Sequence, residues 1–272
     1  MRHNDAIVLD HTYNSKWEKW YLLISDLHWD SPQSNRKLLQ KLLMLAKERD
    51  AGVLIFGDLF DCMGGKYDPR TSKGEIREEH WGKNYFDLVV NDAVKWFEPY
   101  KDLIKVITAG NHEQSVQKHH EFSLLNRFVN GLKINVDIGE YAGFIRFKFQ
   151  ASKGGRRSLV MYYTHGTGGG APVTMGVIGT NRRQVAVEAD FYVSGHIHTT
   201  WNVPKARMKL LHSNRAVVAD QEHIQLPSLK FHGNWETTKG FAPSPQGGYW
   251  LRFGREYEND KLKIIYDVVR AK

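Results

Sequence analysis

The chain is short of the residues and segments that would place it in an oxidising compartment or a membrane. Cys62 is its single cysteine among 272 residues, so it can form no internal disulfide and offers no thiolate cluster for structural zinc. No stretch approaches the roughly 18 consecutive apolar residues of a membrane span, and the first residues do not resemble a secretory signal. We therefore expect a cytoplasmic protein in which nitrogen and oxygen atoms hold any metal ion.

Acidic residues are scarce in one part of the chain. Between Tyr141 and Ala219 only Glu188 and Asp190 are acidic, against 11 lysines and arginines, whereas the whole chain carries a net charge of +8. The rest of the chain is therefore close to neutral. A concentrated positive charge attracts polyanions such as nucleic acids, but it also occurs on basic proteins that bind none.

The first half of the sequence alternates short apolar runs with segments of helical spacing. This alternation predicts parallel strands joined by right-handed helical crossovers, and hence an α/β fold. Short apolar runs separated by turns in the second half favour antiparallel strands. We expect one domain over residues 1–272, with two packed sheets and an insertion at residues 62–83. The expected strands are 20–25, 53–56, 103–108, 144–150, 158–163, 191–193, 208–211, 223–226, 248–253 and 262–269, and the expected helices are 35–49, 84–100, 119–129 and 179–189.

Polar side chains that can bind metal follow five of the expected strands. Because the carboxyl ends of parallel strands share one edge of a sheet, these side chains are expected to converge there. Residues at positions i and i+2 of a strand end would point to the same side. Carboxylate, imidazole and amide groups at this density favour two divalent cations of the first transition row over calcium. The converging residues are Asp26, His28, Asp58, Asp61, Asn111, His112, His165, His196 and His198.

The same residues fall into five ordered sequence blocks. They are Asp26-Leu27-His28, Gly57-Asp58-Leu59-Phe60-Asp61, Gly110-Asn111-His112-Glu113, His165 and Gly195-His196-Ile197-His198. In this order the blocks resemble those of the calcineurin-like metallophosphoesterases, which include phosphatases, phosphodiesterases and nucleases. The resemblance implies a four-layer sandwich in which two mixed β-sheets pack face to face and are flanked by helices.

The resemblance also implies a role for each residue. Asp58 would bridge two divalent cations, with manganese as the first choice and iron, zinc or nickel as alternatives. A hydroxide bound to these cations would attack phosphorus, while His112 would donate a proton to the leaving oxygen and Asp61 would orient His112. Glu113 would support the neighbouring ligands. The first cation would be held by Asp26, His28 and His198, and the second by Asn111, His165 and His196.

The sequence indicates the substrate less directly than the reaction. Serine/threonine phosphatases of the family carry an arginine after the second aspartate of the second block, whereas Cys62 follows Asp61 in this chain. Arg182 and Arg183 are candidates for supplying that charge to a substrate phosphate. The missing arginine and the basic window favour a phosphodiester of DNA or RNA over a phosphomonoester or a phosphoprotein. The alternative of another class is a catalytically silent nucleic-acid-binding module.

Overall fold

A computed structural model of the chain describes residues 6–14, 17–62, 73–151, 155–169, 173–184, 186–210, 213–238, 240–243, 245–258 and 261–272. The strands are β1 (Ile7–Tyr13), β2 (Lys19–Ile24), β3 (Gly52–Phe56), β4 (Ile104–Thr108), β5 (Asp137–Gly139), β6 (Ala142–Ala151), β7 (Arg156–Thr164), β8 (Phe191–Ser194), β9 (Trp201–Leu210), β10 (Ala216–Gln225), β11 (Gly248–Glu258) and β12 (Lys261–Ala271). The α-helices are α1 (Arg36–Glu48), α2 (Tyr85–Phe97), α3 (Asn111–His120), α4 (Leu124–Leu132), α5 (Val177–Gln184) and α6 (Asn234–Thr238).

The strands form two mixed six-stranded sheets. Sheet A has the order β1-β6-β7-β8-β10-β9, and sheet B has the order β12-β11-β2-β3-β4-β5. Strands β2, β3, β4 and β5 are parallel within sheet B, and β7, β8 and β10 are parallel within sheet A. The mixed α/β fold expected from the sequence is confirmed. Loops after the parallel strands of each sheet lie at one edge, where a shared site can form.

Alternating side chains along the central strands explain how the layers pack. Tyr21 and Leu23 of β2 belong to the core that joins sheet B to Phe147 and Phe191 of sheet A. Their neighbours along β2 point the other way and pack with buried residues of α1, α2 and α4. Both faces of β2 and β3 are therefore buried, as is usual for parallel strands with continuous apolar sequences. Each buried large apolar side chain stabilises the fold by about 1.5–3 kcal/mol.

The helices agree with the expected pattern except near residue 120 and at α5, because the helix expected over 179–189 begins at Val177 and ends at Gln184. Asn35 caps α1, because its side chain accepts the N–H of Leu38 at 3.1 Å. The helix expected over 119–129 is wrong in its bounds, since α3 and α4 occupy this region. Glu121 adopts a left-handed conformation with φ of 53° and ends α3. Within the described part of the chain, every helix is too short or too polar to cross a membrane.

Two edge strands, β1 and β5, were not among the expected strands. β1 alternates between half-buried and exposed residues, and β5 has only three residues. Neither therefore shows the continuous apolar run that reveals a central strand.

The insertion expected at residues 62–83 is described only in part, because residues 63–72 lie outside the described residues. Its later part has two short 3₁₀ turns, Lys73–Glu75 and Glu78–His80. Arg77 donates its backbone N–H to the Asp30 carbonyl and its Nε to the Ser31 carbonyl, both at 3.1 Å. This part of the insertion is therefore attached to the loop that follows β2.

Candidate metal centre

The loops after β2 and β3 form one hydrogen-bonded layer at the edge of sheet B. The backbone N–H of Asp26 donates to the Gly57 carbonyl at 3.1 Å, and that of His28 donates to the Asp58 carbonyl at 3.0 Å. Positive φ angles occur at Asp26 (54°), His28 (46°) and Asp58 (47°). This left-handed conformation is uncommon for residues other than glycine and is concentrated at functional sites.

Loop conformation, rather than strand alternation, brings the paired residues at i and i+2 together. β2 ends at Ile24 and β8 ends at Ser194, before the first candidate ligand of each pair. After β8, His196 and His198 have φ angles of 72° and 52°. Both members of each pair reach the same edge, as expected. The expected cause, alternation of side chains along a strand, is wrong.

Candidate ligands from the two sheets converge at this edge. Among the described residues, three groups of carboxylate and imidazole side chains have ligand atoms within 4.8 Å of one another. Sheet B supplies all the carboxylates, and sheet A supplies only histidines. The groups are Asp26, His28 and His198; Asp58, His165 and His196; and His28, Asp61 and His112.

In the first group, three atoms face one point. Asp26 Oδ1 lies 3.3 Å from His198 Nε2 and 3.9 Å from His28 Nε2, and the two nitrogens are 3.2 Å apart. Ligand atoms about 2.1 Å from one cation lie roughly 3 Å apart. His28 Nδ1 lies 2.7 Å from Asp61 Oδ1, so the carboxylate orients the ring and leaves Nε2 to face the site.

In the second group, too, a supporting oxygen orients a histidine ring towards the site. His165 Nδ1 donates to the Phe56 carbonyl at 3.0 Å, which leaves Nε2 facing Asp58 Oδ2, also at 3.0 Å. His196 Nδ1 lies 2.8 Å from the side-chain oxygen of Asn111. All four candidate ligands of this second position therefore lie together.

The donor atoms fit bound cations. Within the described part of the chain, Asp26 Oδ1 and His165 Nε2 are buried and make no well-aligned hydrogen bond, and the atoms that face them, His198 Nε2 at 3.3 Å and Asp58 Oδ2 at 3.0 Å, are themselves candidate ligands. Buried polar atoms without such a partner are costly, and a cation would supply the missing interaction. A mixed set of imidazole and carboxylate ligands suits first-row transition metals.

The charges of the centre also favour a cation. Burial disfavours the charged forms of Asp26 and Asp58, but the surrounding histidines, His165 foremost, together outweigh burial and hold the pKa of both carboxyls below the usual range. Burial likewise disfavours charge on His165, yet the Asp58 and Asp26 carboxylates raise its pKa to about 10. Burial lowers the pKa of His28 and of His196. In the absence of metal, the His165 imidazolium thus balances the carboxylates.

His112 lies at the rim of this cluster, with 14% of its side chain exposed. Its Nδ1 is 2.5 Å from the Asp61 carbonyl oxygen, and its Nε2 is 3.7 Å from Asp58 Oδ2. The Asp61 carboxylate is closer to His28, at 2.7 Å, than to His112, at 3.5 Å. Asp61 therefore contacts His112 mainly through its backbone and His28 through its side chain.

Glu113 joins the loops that carry the ligands of sheet B. Its buried carboxylate accepts the backbone N–H groups of Asp58 at 3.1 Å, Phe60 at 3.0 Å and Gly110 at 2.8 Å. Burial and the nearby Asp58 carboxylate raise the pKa of Glu113 to about 7, although the N–H donors act in the opposite direction. A single side chain thus sets the relative position of the loops after β3 and β4.

Two block glycines are required because other atoms approach them closely. A Cβ on Gly110 would lie 2.1 Å from Asp58 Oδ1, and one on Gly195 would lie 2.1 Å from Ser25 Oγ and 2.7 Å from Asp26 Oδ2. Real Cβ atoms essentially never make such short contacts. These glycines allow the loops after β4 and β8 to pack directly against the carboxylates of Asp58 and Asp26, respectively.

The candidate substrate arginines lie on α5. Arg182 is exposed, and the side chain of Arg183 lies outside the described part of the chain. No described contact joins Arg182 to the metal ligands, so its role stays a prediction.

Two residues outside the five blocks support the centre, and of these the sequence did not indicate Lys230. Asp30 accepts the N–H groups of Asp61 at 2.7 Å and Cys62 at 2.9 Å. Lys230 places its Nζ 3.6 Å from Asp61 Oδ2. The available signal for Lys230 was topological, because β10 runs parallel to β8 and the residues after Gln225 therefore reach the same edge.

Comparisons with known proteins were made at the levels of structure and sequence. Three solved structures of similar fold are Vacuolar Protein Sorting 29 from Cryptosporidium parvum (12% identity, 93% of this chain and 98% of that chain, TM-score 0.40), the calcineurin-like phosphoesterase YfkN from Bacillus subtilis (12%, 94% and 91%, 0.38) and GAP50, the anchor in the inner membrane complex of Plasmodium (11%, 94% and 90%, 0.44). No curated protein matches the sequence significantly. A sequence model of calcineurin-like phosphoesterases matches residues 20–200, the region that contains all five blocks. The chain therefore belongs to the calcineurin-like phosphoesterase family.

Proposed function

We propose that the chain is a dinuclear metal-dependent hydrolase of nucleic-acid phosphodiesters. The observation that carries this proposal is the meeting of two adjoining Asp/His groups, one centred on Asp26 and the other on Asp58, at a shared edge of the two sheets. Family membership supports phosphoester hydrolysis. The substrate class and the choice of manganese are additional parts of the proposal.

The residues of the centre would have the following roles. When bound, two divalent cations would lower the pKa of water and neutralise charge on the phosphoryl group. Asp58 belongs to the second ligand group and, as the family resemblance implies, would contact both cations. The first would be held by Asp26, His28 and His198, and the second by Asn111, His165 and His196.

His112 would act as the general acid. Its Nδ1 faces the Asp61 carbonyl oxygen, so a proton on Nε2 is the one that can be passed towards the site. With part of its side chain exposed at the rim, His112 can meet a leaving oxygen that still contacts solvent.

Support for a nucleic-acid substrate comes from the outer face of sheet A. Arg146 and Lys148 of β6 are exposed on the face opposite the core residues Ile145 and Phe147. Phe144, on the same outer face, is 38% exposed and packs edge-on against Tyr162 with ring centroids 5.1 Å apart.

Basic and aromatic side chains of this kind bind single-stranded nucleic acids through phosphates and base stacking. Because β6 is antiparallel to β7, Phe144 lies near the end of β7 that leads to His165. The stripe formed by Phe144, Arg146 and Lys148 therefore starts near the metal centre.

The decisive experiment incubates the purified protein and manganese with single-stranded DNA, duplex DNA and RNA. We expect cleavage by the wild type and none by Asp58→Asn. The control Asp102→Asn changes an exposed carboxylate at the amino-terminal end of β4, away from the site, and should cleave normally. Hydrolysis of p-nitrophenyl phosphate or phosphoserine peptides alone would favour the phosphomonoesterase alternative. Nucleic-acid binding by a protein that takes up no manganese would favour the silent module.

The outer stripe can be tested separately. Changing Arg146 and Lys148 together to glutamine should weaken DNA binding. The slope of log K against log[salt] should become shallower by about two, one for each phosphate contact that is lost. Turnover of bis(p-nitrophenyl) phosphate, which is too small to reach the stripe, should not change. Equal DNA affinity and salt dependence in the wild type and the double variant would remove this support.

A further inference from the structure

Lys230 is a cationic side chain at the rim of a site that itself fits cations. Its Nζ lies 3.6 Å from Asp61 Oδ2, and 13% of its side chain is exposed. The other oxygen of the same carboxylate lies 2.7 Å from His28 Nδ1 and 3.5 Å from His112 Nδ1. Lys230 therefore adjoins both a candidate metal ligand and the candidate general acid.

The backbone around Lys230 is attached to the loop that carries Asp26. The N–H of Leu229 and the hydroxyl of Ser228 both donate to the Asp26 carbonyl at 3.0 Å. Ser228 Oγ also accepts the N–H of Lys230 at 2.9 Å, and Asn35 donates its N–H to the Leu229 carbonyl at 2.7 Å. These contacts hold Lys230 at a set position beside the centre.

A lysine here does not help to bind metal. Its ammonium group cannot be a ligand and repels nearby cations. A separation of 3.6 Å from Asp61 is also longer than a hydrogen bond, so the carboxylate balances the lysine's charge without using its donors. An anion that enters the site would give the ammonium charge-assisted hydrogen bonds.

A cation at this place would supply a charge that the other candidate positions do not bring to the centre. Cys62, which is buried, stands where the family resemblance places an arginine in protein phosphatases, and Arg182 is exposed on α5. Among the described residues, Lys230 is the lysine or arginine that forms an ion pair with a carboxylate of the centre.

We propose that Lys230 binds a non-bridging oxygen of the substrate's phosphoryl group and replaces the missing arginine. This inference rests on the proposed phosphoester hydrolase function, but it does not depend on what the phosphoryl group is attached to.

The test compares Lys230→Met, Lys230→Arg and the control Lys41→Met, which removes an equal charge from an exposed position of α1. Inorganic phosphate is titrated calorimetrically into each manganese-loaded protein. We expect Lys230→Met to bind phosphate about tenfold more weakly, a change of about 1.4 kcal/mol. Lys230→Arg should stay within about threefold of the wild type, and Lys41→Met should match it. Manganese affinity of Lys230→Met should be equal to or higher than that of the wild type, because a repulsive charge is gone.

Equal phosphate affinity in Lys230→Met and the wild type would overturn the assignment. A parallel loss of phosphate affinity, manganese affinity and melting temperature would also overturn it, since Lys230 would then support structure only. Selective loss of phosphate affinity, in proteins that leave DNA and RNA intact, would keep the assignment and reject the nucleic-acid substrate. DNA cleavage by Lys230→Met with the wild-type KM would keep the nucleic-acid substrate and reject the assignment of Lys230.

Discussion

The two sheets contribute to the metal centre in different ways. Sheet B supplies Asp26 and Asp58, which are 0% and 1% exposed, and their loops are held by hydrogen bonds to Glu113 and to each other. Sheet A supplies only imidazoles, and the side chain of His198 is 31% exposed. The negative charge therefore lies on a buried framework, and the histidines of the other sheet, from buried His165 to partly exposed His198, would complete the coordination.

This division suggests that cations link the two sheets. Without metal, the His165 imidazolium of sheet A supplies the positive charge opposite the carboxylates of sheet B. A divalent cation would replace that proton and contact both sheets. Changes on the sheet B side should therefore be more damaging than changes on the sheet A side.

The largest contrast is expected between Asp58→Asn and His198→Ala. Asp58 is the residue proposed to contact both cations, whereas His198 belongs to the first ligand group only. Asp58→Asn should lower turnover of bis(p-nitrophenyl) phosphate by about 10²–10³-fold or more and should disturb both metal positions. His198→Ala should lose one metal position and retain the other. Metal content per chain, measured after gel filtration, checks this comparison, and equal manganese loss in the two variants would contradict it.

The next largest effect is expected at Gly110. A Cβ there would meet Asp58 Oδ1 at 2.1 Å and the Asp58 backbone nitrogen at 2.4 Å. Gly110→Ala should lower the free energy of unfolding by about 3 kcal/mol, because the framework has no room for the methyl group. Gly254→Ala is the matched control, since its Cβ would meet Ile265 at an ordinary 3.5 Å. Urea unfolding of both variants provides the measurement, and equal stability would show that the sheet B loops can move apart.

A smaller effect is expected at Glu113. Glutamine keeps the shape of the side chain but turns one of its two accepting oxygens into an N–H donor that faces backbone N–H groups. Glu113→Gln should therefore cost about 2 kcal/mol of unfolding free energy. Glu121→Gln, at an exposed position, should be neutral. If the two variants melt at the same temperature, Glu113 does not hold the loops together.

The smallest effect is a pH dependence that arises from His165. Its pKa is raised from 6.5 to about 10, so the charged imidazolium stabilises the metal-free fold fully below pH 6.5 and this contribution is lost as pH rises through 10. Cations must displace this proton, and manganese affinity should rise with pH by up to about tenfold per unit in that window. Titration calorimetry in buffers of different ionisation enthalpy should detect about one proton released per chain at pH 7. Release of no proton would show that His165 is neutral before metal binds.

Elements with a local sequence signal could be predicted from the sequence. The apolar run at 53–56 and the capped helix that begins after Asn35 are visible in consecutive residues, and both are present in the fold. Elements that depend on residues elsewhere in the chain could not be predicted in this way. Strand β1 is stabilised by pairing with β6, more than a hundred residues further along the chain, and its own sequence has no continuous apolar run.

The sequence by itself determined which chemical groups the candidate centre contains, because carboxylate, imidazole and glycine residues in five ordered blocks are properties of the chain alone. Only the tertiary structure decided how these groups are arranged. Left-handed loops, rather than strand alternation, align Asp26 with His28, and Asp61 turns its carboxylate to His28 and its carbonyl oxygen to His112. Lys230 reaches the centre because its backbone is hydrogen-bonded to a loop some two hundred residues earlier. Contacts between segments so distant in sequence form only when both sheets have packed, so no local pattern records them.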